Sequence, residues 1–169
     1  MVLVADECRV ERESGTMSIW YPKGKQPTIR VEQEREAVSF YGALEVATGK
    51  ETVIKAPYQK SEYTVQFLRK LEQRYAGKKV LLLWDGAPWH RGKVREYLQE
   101  KNKRWFLEIL YFPPYSPDMN PQEQVWKVAK RRCTHNSEVA FDVKVRTFYQ
   151  FLRLKKFNTN FLKKFIPSF

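Results

Sequence analysis

Hydrophobic positions follow two rhythms along this chain. Short apolar runs read as strands, and wider spacings of three and four residues read as helices. Val2 to Ala5 is the first run, a central strand that stops at Asp6. Ala37 to Val46 and Thr52 to Ala56 are rich in aromatic and β-branched residues, and Thr48-Gly49-Lys50 between them is a turn signal, so the pair predicts a hairpin. Val65, Leu68 and Leu71 recur at helical spacing within 61–75, where Ser61 is the expected N-cap and Gly77 the stop. Val80 to Trp84 predicts a fourth, buried strand, and Val94, Tyr97 and Leu98 give one stripe to a short helix over 91–101. Leu107 to Phe112 predicts a fifth strand, halted by Pro113-Pro114.

Asn120-Pro121 suits a helix start, as N-cap and first helical residue. Val125, Ala129 and Cys133 then recur at i+4 with Trp126 beside them. A last helix over 139–154 carries the stripe Phe141, Val145, Phe148 and Leu152. The stretch 16–30 is punctuated by Pro22, Gly24 and Pro27 and reads as loop with a short strand, and a short aromatic tail follows Asn158-Thr159-Asn160. The order is three strands, helix, strand, helix, strand, helix, an α/β class with a mixed five-stranded sheet. The expected division is a catalytic unit over 1–134 and a basic, aromatic helical extension of the same domain over 135–169.

Composition narrows the classes. No apolar run approaches the ~18 residues of a membrane span, and the first run ends in an acid rather than a cleavage site. Cys8 and Cys133 give no disulfide framework, so a reducing, cytoplasmic and nucleoid-associated setting is expected. Residues 121–169 carry 11 Lys and Arg against 3 Asp and Glu, +8 of the chain's +12. That concentration reads as a surface for a polyanion, against the plainer reading of charge on solvated helix faces.

Three acids stand at the ends of separate elements: Asp6, Asp85 and Glu123. Open α/β sheets place their chemistry at strand ends, and three acids on a basic chain point to metal-dependent chemistry on nucleic acid. Each has a plainer reading. Asp6 would sit in an ordinary turn, with Glu7 competing for its role; strand alternation lets only one of the two face the site. Asp85 before Gly86 would form a turn. Glu123, three residues after Asn120, fits a capping box. Asp118 reads as a surface acid. His90 would orient a phosphate or water, or hold the turn. Cys133-Thr134-His135 lacks a second ligand pair, so zinc is not expected. Lys127, Lys130 and Arg131 follow Glu123 on its helix, where they would meet a DNA backbone or solvent. Trp20 and Tyr21 beside Lys23-Gly24-Lys25 would stack on unpaired bases or pack at the rim.

Ala5-Asp6-Glu7, Trp84-Asp85-Gly86-Ala87-Pro88-Trp89-His90 and the stretch from Pro113 to Trp126 resemble the three motif blocks of DDE transposases. The resemblance is to the mariner-like branch of bacterial insertion sequences, with the RNase H-like fold of retroviral integrases. It covers about residues 1–134, and the long third block, Pro-x-Tyr-Ser-Pro-x-x-Asn-Pro-x-Glu-x-x-Trp, is its most specific part. Gln122 stands where the family commonly has an apolar residue, and Asp85 and Glu123 are 38 positions apart, a few more than the branch usually has.

The resemblance implies that Asp6, Asp85 and Glu123 are both catalytic residues and ligands of two divalent ions, Mg²⁺ or Mn²⁺. It implies support from His90 and Asn120, and DNA contacts from Lys127, Lys130 and Arg131. The activity implied is DNA cleavage and strand transfer at insertion-sequence ends, in a homodimer. Full-length members carry helix-turn-helix domains ahead of the first catalytic Asp, and those are expected to be missing here. The alternatives are a non-catalytic DNA-binding remnant of a transposase and a nuclease or resolvase of the same fold.

Overall fold

Alternating side chains on five strands pair into one mixed sheet in the computed structural model, which describes residues 1–12, 22–25, 36–100, 104–113, 119–133 and 139–159. The strands are β1 (Val2–Glu11), β2 (Ala37–Glu45), β3 (Lys50–Ala56), β4 (Lys79–Trp84) and β5 (Phe106–Tyr111). Their spatial order is β3-β2-β1-β4-β5. β1, β2 and β3 pair antiparallel, and β4 runs parallel to both β1 and β5. The hairpin turn between β2 and β3 is closed by Gly49 at φ 68°, where a side chain would run into the Phe157 carbonyl.

Helices cover both faces. On one side, α1 (Ser61–Arg74) and α2 (Lys93–Gln99) pack on Leu3, Ala5, Tyr41, Ala43, Leu82 and Trp84. On the other, α3 (Pro121–Cys133) and α4 (Phe141–Leu154) close over Cys8, Val10, Phe40, Leu44 and Val53. The α4 stripe is buried as expected, and its Phe148 shares a cluster with Val125 and Trp126 of α3. α4 therefore joins the core of the sheet it follows. Phe106, Leu110 and Tyr111 on the edge strand β5 are exposed. Among the described residues no helix is long and apolar enough to cross a membrane.

Several boundaries moved. β3 begins at Lys50 rather than Thr52, because Glu51 is a buried strand residue that a hydropathy reading leaves out. Ser61 is the first helical residue and not the cap; Lys60 occupies that position in extended backbone and makes no side-chain cap bond. α2 is shorter than expected, since Pro88–His90 form a separate 3-10 turn and Gly92 lies at φ 60° just before the helix. Most of 16–30, with Trp20 and Tyr21, lies outside the described residues, as do Asp118, His135 and the tail after 159.

Candidate active site

Parallel pairing of β1 with β4 sets the site. The partners Val2↔Leu81, Leu3↔Leu82 and Val4↔Leu83 share one offset of 79 positions, and the same offset relates Asp6 to Asp85. Asp85 thus follows the last residue of β4, while Asp6 lies level with it in the middle of β1. β1 does not stop at Asp6 as the sequence pattern predicts but runs on to Glu11 through its pairing with β2. Asp6 alternates with Val4 and Cys8 onto the α3 side, and Glu7 falls with Leu3 and Ala5 on the opposite side.

Asp6 is buried, and its carboxylate Oδ2 accepts the indole N–H of Trp126 at 3.1 Å. Burial above all pushes its pKa up to about 8; the charges of Glu7, Glu123 and Asp85 add to the rise. Asp85 is half-exposed, and its Oδ1 accepts the backbone N–H of Ala87 at 3.3 Å and lies 3.2 Å from His90 Nδ1.

Glu123 is half-buried in the first turn of α3. Asn120 caps that helix: its Oδ1 accepts the N–H of Gln122 at 3.0 Å. The capping box does not form, since among the described residues nothing hydrogen-bonds the Glu123 carboxylate. The three acids are therefore coupled as charges around Asp6 and not drawn together at ligand spacing. Like charges repel, and Asp6 and Asp85 each take the donor their own surroundings offer.

A second cluster lies on the other side of β1. Glu7 was the weaker candidate by sequence, yet its side chain is buried and takes two donors. Trp89 Nε1 donates to Oε2 at 3.0 Å, and His90 Nε2 lies 3.0 Å from Oε1. The other ring nitrogen of His90 faces the Asp85 carbonyl oxygen at 3.0 Å. The ring lies on Trp84, centroid to centroid 3.6 Å. Ligand atoms of Glu7, Asp85 and His90 all lie within 4.8 Å of one another. His90 thus ties the turn after Asp85 to β1.

The donor set fits a divalent cation. Oxygen ligands in a partly buried acidic cluster suit hard ions such as Mg²⁺ and Mn²⁺. A cation among Asp6, Asp85 and Glu123 would cancel the carboxylate repulsion that adds to the burial-driven rise of Asp6. Lys127, Lys130 and Arg131 are all exposed on α3, on the helix that carries Glu123.

The sequence left out Glu51, Gly42 and the pairing role of Trp126. Gln122 Nε2 donates to Glu51 Oε1 at 2.7 Å in the core beneath α3. A Cβ on Gly42 would meet Glu51 Oε1, with Trp126 Cη2 at 2.5 Å and Gln122 Nε2 at 2.7 Å. A polar residue within a β-rich run, Glu51, and another at an expected apolar position, Gln122, were the available signals, and only their partnership gives them meaning.

Comparison with known proteins places this geometry. The family model for DDE superfamily endonucleases matches residues 1–145. The chain is similar to the insertion element IS630 uncharacterized 39 kDa protein of Shigella sonnei, 24% identical over 139 residues, which are 81% of this chain and 40% of that protein. Among solved structures it superposes on the Mos1 mariner paired end complex with Mn at TM-score 0.67 and 17% identity, covering 98% of this chain and 52% of that one. A simian T-cell lymphotropic virus intasome gives TM-score 0.57 at 8% identity, over 93% of this chain and 50% of that one. The fold is the RNase H-like one of transposase and integrase catalytic cores. The chain spans between 40% and 52% of the length of these relatives.

Proposed function

Since the chain belongs to the DDE superfamily endonucleases, we propose that it is the catalytic domain of an insertion-sequence transposase, cutting DNA at element ends and joining it to a target. The charge environment of Asp6 carries this reading. A buried carboxylate beside three other acids is costly to the fold and becomes useful when cations are bound there. Enzymes of this superfamily use divalent metals. Two such ions held by Asp6, Asp85 and Glu123 would activate the attacking oxygen and stabilise the leaving oxygen of an in-line displacement at phosphorus.

The protein's own residues prepare that chemistry. Trp126 fixes one oxygen of Asp6 with its indole N–H. His90 and the Ala87 N–H hold Asp85 at the end of β4. Asn120 starts α3 so that Glu123 falls in its first turn. Lys127, Lys130 and Arg131 offer positive charge to the phosphate backbone along α3, which gives affinity without reading bases. DNA is the substrate by analogy with the Mos1 complexes, one of which holds a left transposon end. Residues 1–134 carry the chemistry in this proposal, 135–169 extend its basic surface, and two copies of the chain make up the active complex.

The test is cleavage of duplexes bearing element ends in Mg²⁺ or Mn²⁺. Asp85→Asn keeps shape and removes charge, so cleavage should fall to background while the thermal unfolding curve stays within a few degrees of wild type. Wild-type cutting by Asp85→Asn protein would end the catalytic assignment.

A further inference from the structure

Two buried oxygen atoms beneath α3 lack partners among the described residues: Glu51 Oε2 and Gln122 Oε1. They belong to side chains that already share a bond, Gln122 Nε2 to Glu51 Oε1 at 2.7 Å. Gln122 is fully buried and Glu51 is 4% exposed. Leaving one buried acceptor unpaired costs about 1–3 kcal/mol, so two on one joined pair demand an explanation. A single proton on Glu51 supplies it. The acid O–H would then donate to the amide oxygen while the amide N–H donates to the acid carbonyl, and both orphans would be satisfied in one two-point ring.

The surroundings agree. An ionised carboxylate in this place would need a buried cation. The cation that faces Glu51 is Arg74 of α1, and its guanidinium bonds the Glu51 backbone oxygen, at 3.4 Å. Burial pushes the Glu51 carboxyl well above the usual carboxylate range, against smaller opposing effects of Gln122 and Arg74.

The pair stands one residue from Glu123. Successive helical residues point about 100° apart, so fixing Gln122 fixes the direction in which Glu123 leaves α3. Three tethers meet at this turn: Asn120 on the Gln122 N–H, Glu51 on the Gln122 amide, and Asp6 on the Trp126 indole. Glu51, Gln122 and Trp126 are seated over Gly42, the strand partner of Asp6, whose missing side chain makes the room.

We infer that Glu51 and Gln122, joined acid to amide, are positioning residues that set the reach of Glu123 toward Asp6 and Asp85. The inference rests on the reading of those three acids as a metal site. It assigns Gln122 a function at a position where the sequence pattern leads one to expect an apolar side chain, and names β3 as the element that answers it.

The experiment has two readouts on the purified chain: Mn²⁺ affinity from water-proton relaxation, and the protonated-carboxyl band in infrared difference spectra at neutral pH. Gln122→Met keeps the bulk and removes the amide. It should weaken Mn²⁺ binding about tenfold or more, in the range of residues that orient ligands. Glu51→Gln restores a two-point pair, amide to amide, and should hold Mn²⁺ affinity within about twofold of wild type. The wild type minus Glu51→Gln spectrum should show one protonated carboxyl, with Asp6 common to both and cancelling.

Wild-type Mn²⁺ affinity in Gln122→Met would overturn the positioning role, whatever the change in unfolding temperature. A missing carboxyl difference would overturn the acid–amide pair, and that readout stands even if Gln122→Met fails to fold. Asp85→Asn serves as the control for the underlying reading. A wild-type chain that takes up no Mn²⁺ sinks that reading and the positioning role with it, while the carboxyl band still decides the pairing.

Discussion

Gly42→Ala adds one methyl group and should be among the most damaging small changes in the sheet. Gly42 lies in β2 opposite Asp6. A Cβ there would press on Glu51 Oε1, on Trp126 Cη2 at 2.5 Å and on Gln122 Nε2 at 2.7 Å. None of these can swing away, since all three side chains are buried and hydrogen-bonded. Overpacking of this kind costs about 1–3 kcal/mol. Prising apart the buried Glu51–Gln122 contact adds about 1–3 kcal/mol. Stiffening of the unfolded chain by alanine returns about 0.4–1 kcal/mol.

The net loss is then ~1–6 kcal/mol with its centre near 3 kcal/mol, which at about 2–4 °C per kcal/mol lowers Tm by roughly 6–12 °C at that centre. Gly86→Ala is the matched control. Gly86 has nothing within 4 Å of its would-be Cβ and no positive φ, so its Tm should stay within about 2 °C of wild type. Thermal unfolding followed by circular dichroism, in EDTA so that metal does not contribute, measures both. A Gly42→Ala protein that melts with the wild type would refute the crowding beneath α3 and the packing argument built on it.

Three further outcomes are expected. Asp6 has a folded pKa near 8 against an ordinary 3.8, so the fold holds its proton more tightly than the unfolded chain does. In EDTA, its contribution to stability is full below about pH 4 and is lost as pH rises toward 8. Asp6→Asn keeps an acceptor for Trp126 and should flatten that decline, which urea titrations at several pH values would reveal. Glu7→Gln leaves Trp89 an acceptor but disturbs His90, and should lower cleavage about 10–100-fold through a displaced Asp85 turn; unchanged cleavage would leave Glu7 a bystander. Replacing Lys127 and Lys130 together by Ala should reduce the salt dependence of duplex binding by roughly one to two units of log slope, equally for all sequences, and an unaltered slope would move the DNA off α3.

What the sequence made legible depended on how local each signal was. Strand and helix order came through because the periods of β1, β4, α3 and α4 are strong over their own lengths. Asp85 and Glu123 stood out because each closes or opens a periodic stretch, and Asp6 because it ends an apolar run, although β1 continues past it to Glu11. The Asn120 cap is a short-range pattern that the structure bears out. Glu7 was harder. Strand alternation said only that one of Asp6 and Glu7 turns toward α3, and nothing nearby in sequence announces the Trp89 and His90 donors some 80 positions away. Glu51 shows the opposite failure. A charged residue in a strand reads as an edge or an end, so β3 was begun too late. Its burial is decided by Gln122, 71 positions on, and no local rule reaches that far.

The constant offset between β1 and β4 makes the hydrophobic core a proofreader of the chemistry. A strand slipped by one residue exchanges its two faces completely. Here that slip would carry Asp6 under α1 and present Glu7 to α3. It would at the same moment swap Leu3 and Ala5 with Val4 and Cys8 between two packed layers. Two adjacent acids of nearly equal chemistry are thus kept distinct by aliphatic neighbours that never touch a substrate. An insertion or deletion within the first strand would change the identity of the carboxylate at the site before it changed anything else a reaction could sense.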